Sequence, residues 1–326
     1  MKKVAIIGAG PAGIAMGVEL AKAGVKDVVI FEKSDKDNAS VRQFYPAGKD
    51  INSVYKSIEV PQTGQLGFTG IISLDQYHIM MDSAINDNSL DIKFNTEVQK
   101  ITKKDKVFEI ETSDGTYEAE YVVLASGVFA KPRKPDYKIP AAVLPNVSYD
   151  ILNLQKQNIT GFDILVVGGG DSASEYVQTL SAMGNNVSLS YRQDKIFRMN
   201  QLNIDRLNEL LFQKKIAMYL GTNITSVEQD GDKIKVSFEK HDPMFVDKIV
   251  YSLGGASPTA FMANCGLEYD DTNVVLRDNG ETSIDGLFMI GDLASGRKGG
   301  SIMLAFNGAR SVMEGLNQKY GFPAPV

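Results

Sequence analysis

Two glycine turns hold the residue types and spacings from which chemistry can be read. The first is Gly8-x-Gly10-x-x-Gly13, with Pro11 and Ala12 inside it. It follows a short apolar run at residues 4–7 and precedes residues 14–20, where apolar side chains recur at helical spacing. A strand, a tight turn and a helix start in that order form a pyrophosphate cradle: glycine lets the backbone approach phosphate closely, and the negative charge meets unpaired helix amides. The next strand, residues 28–31, ends in Glu32, with Lys33 beside it. A carboxylate at that place accepts hydrogen bonds from an adenosine ribose.

The second turn is Gly168-x-Gly170-x-x-Ala173, holding Asp171 and Ser172, with a predicted strand before it at 164–167 and a predicted helix after it at 174–183. Its following strand, 187–191, ends without an acid. Arg192 stands there instead, and Arg198 lies six residues on. Two cations and no carboxylate suit the 2′-phosphate of NADPH better than the free hydroxyl of NADH.

These turns must be placed by the elements around them, and the sequence writes one plan twice. Each copy runs strand, glycine turn, helix, second strand, a stretch of alternating residues read as an antiparallel meander (91–123 and 215–240), then a closing strand and glycine. From Gly8 to Gly127 is 119 residues, and from Gly168 to Gly254 is 86. The excess lies mostly in the polar, turn-rich segment 33–70, where walls for something larger than a nucleotide, such as a flavin ring, are expected. Ser73 and Gln76 form a capping box for a helix through about residue 85. The stiff basic stretch Lys131-Pro132-Arg133-Lys134-Pro135 marks a domain boundary. A final strand at 287–290, Gly291-Asp292 and a helix at 301–317 return to the first domain. The expected division is residues 1–127 with 256–326, and 128–255.

With 326 residues, 43% hydrophobic and 23% charged, the chain reads as globular and large enough for two domains. The net charge of −6 argues against a sequence-blind nucleic-acid binder. No run reaches the roughly 18 apolar residues of a membrane span. The sole cysteine, Cys265, excludes an intrachain disulfide and every dithiol mechanism, and suits a reducing cytoplasm. His78 and His241 are too far apart in sequence to suggest a metal site.

The two turns, Ala125-Ser126-Gly127 ahead of the basic connector, and Ile290-Gly291-Asp292 near the end resemble the two-domain thioredoxin-reductase-like flavoproteins over nearly the whole chain. That resemblance implies an α/β fold of two Rossmann-like domains in three layers with antiparallel meanders, the first domain holding FAD and the second NADPH. It implies that Asp292 contacts the ribityl and phosphate part of FAD. Amides of Gly300, Ser301 and Ile302 would face the flavin pyrimidine edge, where the helix dipole stabilises negative charge, and the backbone at Val98 would meet the adenine. A homodimer is implied as well.

The sequence departs from that pattern in its thiols. Residues 146–161 lack the CxxC of thioredoxin reductases, and Ala12 stands where bacillithiol disulfide reductases carry a cysteine. What remains resembles the CxxC-free branch, flavodoxin:quinone reductases above all, through residues 43–49, the second turn and Ser301-Ile302, with ferredoxin–NADP reductases of thioredoxin-reductase type as neighbours. Electrons from NADPH would then leave directly from the flavin to flavodoxin, ferredoxin or a quinone. Reduction of a low-molecular-weight disulfide is the alternative. No side chain is singled out as catalytic. Tyr45 is a candidate flavin wall and Lys49 a charge near the ring, while Arg297, Lys298, Lys131, Arg133 and Lys134 are candidates for meeting an acidic carrier.

Overall fold

The computed structural model describes residues 1–45, 48–55, 58–127, 131–256, 259–270, 273–295 and 301–324. The chain divides into two units, Met1–Lys131 with Ala256–Val326, and Pro132–Gly255.

In the first unit the strands Ile92–Lys93, Val28–Phe31, Lys2–Ile7 and Gly115–Leu124 lie side by side in that order. Lys2–Ile7 is parallel to both neighbours, with Ile7 opposite Phe31 on one side and Leu124 on the other. The loops leaving these three strands therefore start level. Leu287–Met289 adds a parallel strand beside Val122–Leu124.

Successive side chains of a strand point to opposite faces, and both faces here are covered. Val4 and Ile6 join one core with Ile14, Met16 and Leu20 of the helix Pro11–Lys22 and Phe306, Ala309 and Met313 of the helix Ile302–Tyr320. Ala5 and Ile7 join another with Phe31, Phe108, Leu124 and Met289. Each of the larger side chains contributes about 1.5–3 kcal/mol when buried.

The helix Leu74–Asp87 begins at the predicted box: Ser73 Oγ accepts from the Gln76 amide at 3.1 Å, and Gln76 Oε1 accepts from the Ser73 amide at 2.9 Å. It runs two residues beyond the predicted end. The described residues of segment 33–70 hold more regular structure than their polar composition suggests. They form a helix, Ala39–Phe44, and a strand pair, Val54–Tyr55 with Ile58–Glu59, while Asp50–Asn52 pairs with Ile71–Ser73 just beyond the segment. The predicted meander over 91–123 needs correction at its start, because Ile92–Lys93 is parallel to Val28–Phe31. Only Val98–Lys104, Val107–Thr112 and the first half of Gly115–Leu124 are antiparallel. A two-residue strand is too short to show its partner through alternation.

The second unit has a parallel five-stranded sheet ordered Val147–Ser148, Lys248–Tyr251, Asp163–Val167, Asn186–Tyr191 and Ile216–Leu220. Ile216–Leu220 thus belongs to the main sheet and not to a meander, which comprises Ile224–Asp230, Lys233–Phe238 and Met244–Val246. The helix after the glycine turn is Asp171–Ala182, starting three residues before its predicted start. A second helix, Gln201–Phe212, is capped by Asn200, whose side chain accepts from the Asn203 amide at 2.9 Å. The final helix of the chain, Ile302–Tyr320, continues past its predicted end at 317 and stops at Gly321 in the left-handed conformation.

Candidate functional site

The first glycine turn is closed by space as much as by conformation. Gly8 has φ +109°, and a Cβ there would lie 2.7 Å from the Ala125 carbonyl oxygen. A Cβ on Gly13 would lie 1.9 Å from the Gly8 carbonyl oxygen, so the helix start sits directly on the turn. Gly10 is different. Nothing lies within 4 Å of where its Cβ would be, and among the described residues its N–H meets no acceptor. A backbone donor without an acceptor among the described residues, at the N-terminus of a twelve-residue helix with Pro11 at its head, fits a phosphate oxygen.

Three other motifs close around this turn. Ala125 and Ser126 press on Gly8 from the end of the neighbouring strand, with Gly127 following at φ +64°. A Cβ on Gly291 would come within 3.0 Å of Ala12 Cβ and 4.0 Å of Ala305 Cβ. The Gly291-Asp292 turn is thus wedged between the starts of the first and last helices. Asp292 is half-buried, and burial pushes its carboxyl above the usual carboxylate range; no hydrogen bond to that carboxyl exists among the described residues. A carboxyl desolvated beside the phosphate cradle and left unpartnered fits a hydroxyl-bearing chain such as ribityl. At the last helix, Ser301 Oγ accepts from the Leu304 amide at 3.1 Å, while Ile302 opens the helix. Gly300 lies outside the described residues, as do Arg297 and Lys298.

Glu32 is 8% exposed and has a role that spacing alone does not reveal. Its Oε2 accepts from the Ala9 amide at 2.8 Å and its Oε1 from the Ser34 amide at 2.9 Å. Each carboxylate oxygen retains a lone pair for a ribose hydroxyl. Lys33 beside it is exposed. The Glu32 carbonyl accepts from the Thr96 amide at 2.8 Å, which brings Val98, two residues on, to the same corner. Tyr45 ends the helix Ala39–Phe44 and packs against the core, with Lys49 Nζ 4.0 Å from its ring centroid.

The residues missed by sequence reasoning are those that tie segment 33–70 to the turn. Asn38 donates its amide to the Ala9 carbonyl at 2.8 Å, and Tyr77 OH donates to Asn38 Oδ1 at 2.7 Å. The loop 61–70 is fixed by Glu19, 2% exposed, which accepts from the Gln65 amide at 2.6 Å and lies 3.6 Å from Arg310. Asp37-Asn38 before an apolar-containing stretch is a helix-start signal that the polarity of the segment concealed.

In the second unit Gly170 is again open, with nothing within 4 Å of its missing Cβ. A Cβ on Gly168 would be 2.3 Å from the Ser252 carbonyl oxygen, while Ala173 is fully buried. Asp171 anchors the following loop: its Oδ1 accepts from the Asn200 amide, Asn200 Nδ2 and Asn203 Nδ2, each at 2.8 Å. Ser172 is half-buried in the first turn of that helix. Arg198 is brought to the turn by a backbone bridge with Gly170, and both Arg198 and Arg192 are exposed.

Cys265 is 5% exposed, and burial pushes its thiol up to about 11. That is a packed thiol and no nucleophile. Among the described residues no group of three or more His, Cys, Asp or Glu side chains is arranged to hold a metal, and no helix is long and apolar enough to cross a membrane.

A family model described as pyridine nucleotide-disulphide oxidoreductase matches residues 5–291. The chain is 26% identical over 300 residues to a ferredoxin–NADP reductase of Streptococcus thermophilus, covering 89% of this chain and 84% of that one. Among solved structures, bacillithiol disulfide reductase Bdr from Staphylococcus aureus superposes with a TM-score of 0.81 at 19% identity, covering 98% of each chain. The thioredoxin reductase of T. acidophilum gives 0.79 at 22% identity, also covering 98% of each.

Proposed function

Because this chain belongs to the pyridine nucleotide-disulphide oxidoreductase family and is an FAD-dependent NAD(P)H oxidoreductase, we propose that it passes electrons from NADPH directly to an external one- or two-electron carrier, with no thiol relay. The observation that carries this reading is the sole cysteine, Cys265, packed in the core with its thiol pushed up to about 11. A dithiol route needs two accessible sulfurs.

In this reading the first unit holds FAD. The Gly10 N–H and the start of the first helix receive the pyrophosphate, Glu32 the adenosine ribose, the backbone near Val98 the adenine, and Asp292 the ribityl chain. The amides at Ser301 and Ile302 meet the pyrimidine edge, where the nineteen-residue helix behind them stabilises negative charge. The second unit holds NADPH, with its pyrophosphate on Gly168, Gly170, Ser172 and Ala173 and its 2′-phosphate between Arg192 and Arg198. When bound, FAD accepts a hydride and gives up its two electrons together or singly. The chain's own residues bind and orient the two cofactors, and no side-chain acid or base is required for the hydride step.

The relative named as a ferredoxin–NADP reductase favours a ferredoxin-type carrier, with flavodoxin and quinone as further candidates. A homodimer in the cytoplasm completes the proposal. The test is steady-state NADPH oxidation by the purified yellow protein with ferredoxin, flavodoxin, a soluble quinone and bacillithiol disulfide offered in turn. Turnover with a carrier and none with the disulfide is expected. Turnover with the disulfide alone overturns the reading, as does a protein that takes up no flavin.

A further inference from the structure

We propose that Asn38 is a positioning residue for the first glycine turn, aiming the Gly10 N–H at the phosphate through the Ala9–Gly10 peptide, with Tyr77 holding Asn38 in place. This rests on the reading that the first turn carries the FAD pyrophosphate.

The Ala9 residue is gripped on both of its backbone groups. Its N–H donates to Glu32 Oε2 at 2.8 Å, and its C=O accepts from the Asn38 amide at 2.8 Å. Across a planar trans peptide the carbonyl and the following N–H point in opposite directions. Holding the Ala9 carbonyl toward Asn38 therefore turns the Gly10 N–H away from Asn38, and among the described residues that N–H meets no acceptor. Glu32 fixes one end of this unit; Asn38 fixes its rotation.

Asn38 is itself over-determined. Its φ is +49°, in the left-handed region that asparagine tolerates better than most residues, and it is 1% exposed. As the residue ahead of the helix Ala39–Phe44 it makes no side-chain cap, because its side chain is used elsewhere. Nδ2 donates to Asp37 Oδ2 at 2.6 Å, and Oδ1 accepts from the hydroxyl of Tyr77, which is fully buried. Asp37 is held in turn by Arg42 at 3.2 Å. A buried polar set with its partners satisfied specifies one geometry where apolar packing would allow several.

The test uses the flavin-stripped full chain, titrated with FAD and with riboflavin, which shares the ring but has no phosphate. Asn38→Gly keeps the backbone amide and tolerates the left-handed conformation while deleting the side chain; its Kd for FAD is expected to rise about tenfold with riboflavin binding unchanged, the size of one or two net hydrogen bonds. Tyr77→Phe, a milder change, is expected to raise it about threefold. The double variant should be no worse than Asn38→Gly alone, because both act through one side chain. An unchanged FAD affinity in Asn38→Gly overturns the proposal, and so does an equal weakening for FAD and riboflavin, which would mean general loosening of the unit. A parent chain that binds no FAD sinks the underlying reading together with this one; a parent that binds it while both variants match it sinks only this one.

Discussion

The first and second glycine turns share a backbone plan and differ in what holds them. At the first, the third position must be glycine, since a Cβ on Gly13 would sit 1.9 Å from the Gly8 carbonyl, and the loop after the second strand reaches back with Glu32 and Asn38 to seize Ala9. At the second, Ala173 fits without exposure, and a tyrosine ring fills the corresponding corner: a Cβ on Gly169 would lie 2.2 Å from an atom of Tyr191. The charged side chains there, Arg192 and Arg198, stand in solvent. The contrast is between a turn with buried, partnered grips and a turn beside exposed cations that have no ion pair among the described residues. Buried grips suit a cofactor that stays; exposed cations suit one that arrives, reacts and leaves.

The largest expected effect comes from breaking the tighter turn. Gly13→Ala forces a Cβ into the Gly8 carbonyl and is expected to cost about 3 kcal/mol and to yield colourless protein, read as the flavin-to-protein ratio and the melting temperature. Ala173→Gly, the reciprocal change, should cost about 1 kcal/mol and leave the flavin bound. Similar effects from both would erase the distinction. Next is Glu32→Ala, which strips an acceptor from the Ala9 and Ser34 amides in a buried place; about 2 kcal/mol is expected, with weakened FAD retention and an unchanged KM for NADPH. Arg198→Ala should raise the KM for NADPH about tenfold and leave that for NADH where it was, since only the former carries the 2′-phosphate.

The smallest effect is one of pH, and it sets two acids of the first unit against each other. Folding raises the Asp292 carboxyl from its ordinary 3.8 through burial, so the folded chain keeps a proton that the unfolded chain has lost, and stability falls as pH rises through the window just above 3.8. For Glu281, burial alone would raise the carboxyl from its ordinary 4.5, but bonds from the Gly286 amide, Lys319 and Tyr320 together hold it lower. Its contribution is complete above 4.5 and is lost as pH falls through the folded value. Asp292→Asn should therefore slightly stabilise the flavin-free chain at neutral pH while weakening flavin binding, which melting curves with and without FAD would separate.

Much of this architecture was legible because its signals are local. The glycine spacing, the capping box at Ser73 and Gln76, and the strand runs each lie within a few residues, where period and turn chemistry speak directly. Convergence of Gly8, Ala125 and Gly291 was legible only through resemblance, since residues more than a hundred positions apart leave no periodic trace. The helix Gln201–Phe212 went unread because Asn200 caps it through a polar stretch, and its buried face is narrow, with only Asn203 and Leu207 fully inside. Glu32 was placed correctly on the strand end, yet its bond to Ala9 depends on how the chain folds back, which no spacing rule records. Tyr77 was invisible for the same reason: on a helix chosen for its cap, nothing marks the one hydroxyl that reaches across to Asn38.

The deep placement of Cys265 has a practical side. With the only native thiol shielded and its ionisation suppressed at neutral pH, a maleimide dye has nothing to attack on the parent chain. A cysteine introduced at Phe212, 90% exposed on the second unit, or at Ile58, 70% exposed on the first, would then be labelled alone, and a fluorophore at either position would report on its own unit during turnover with the natural sequence otherwise intact.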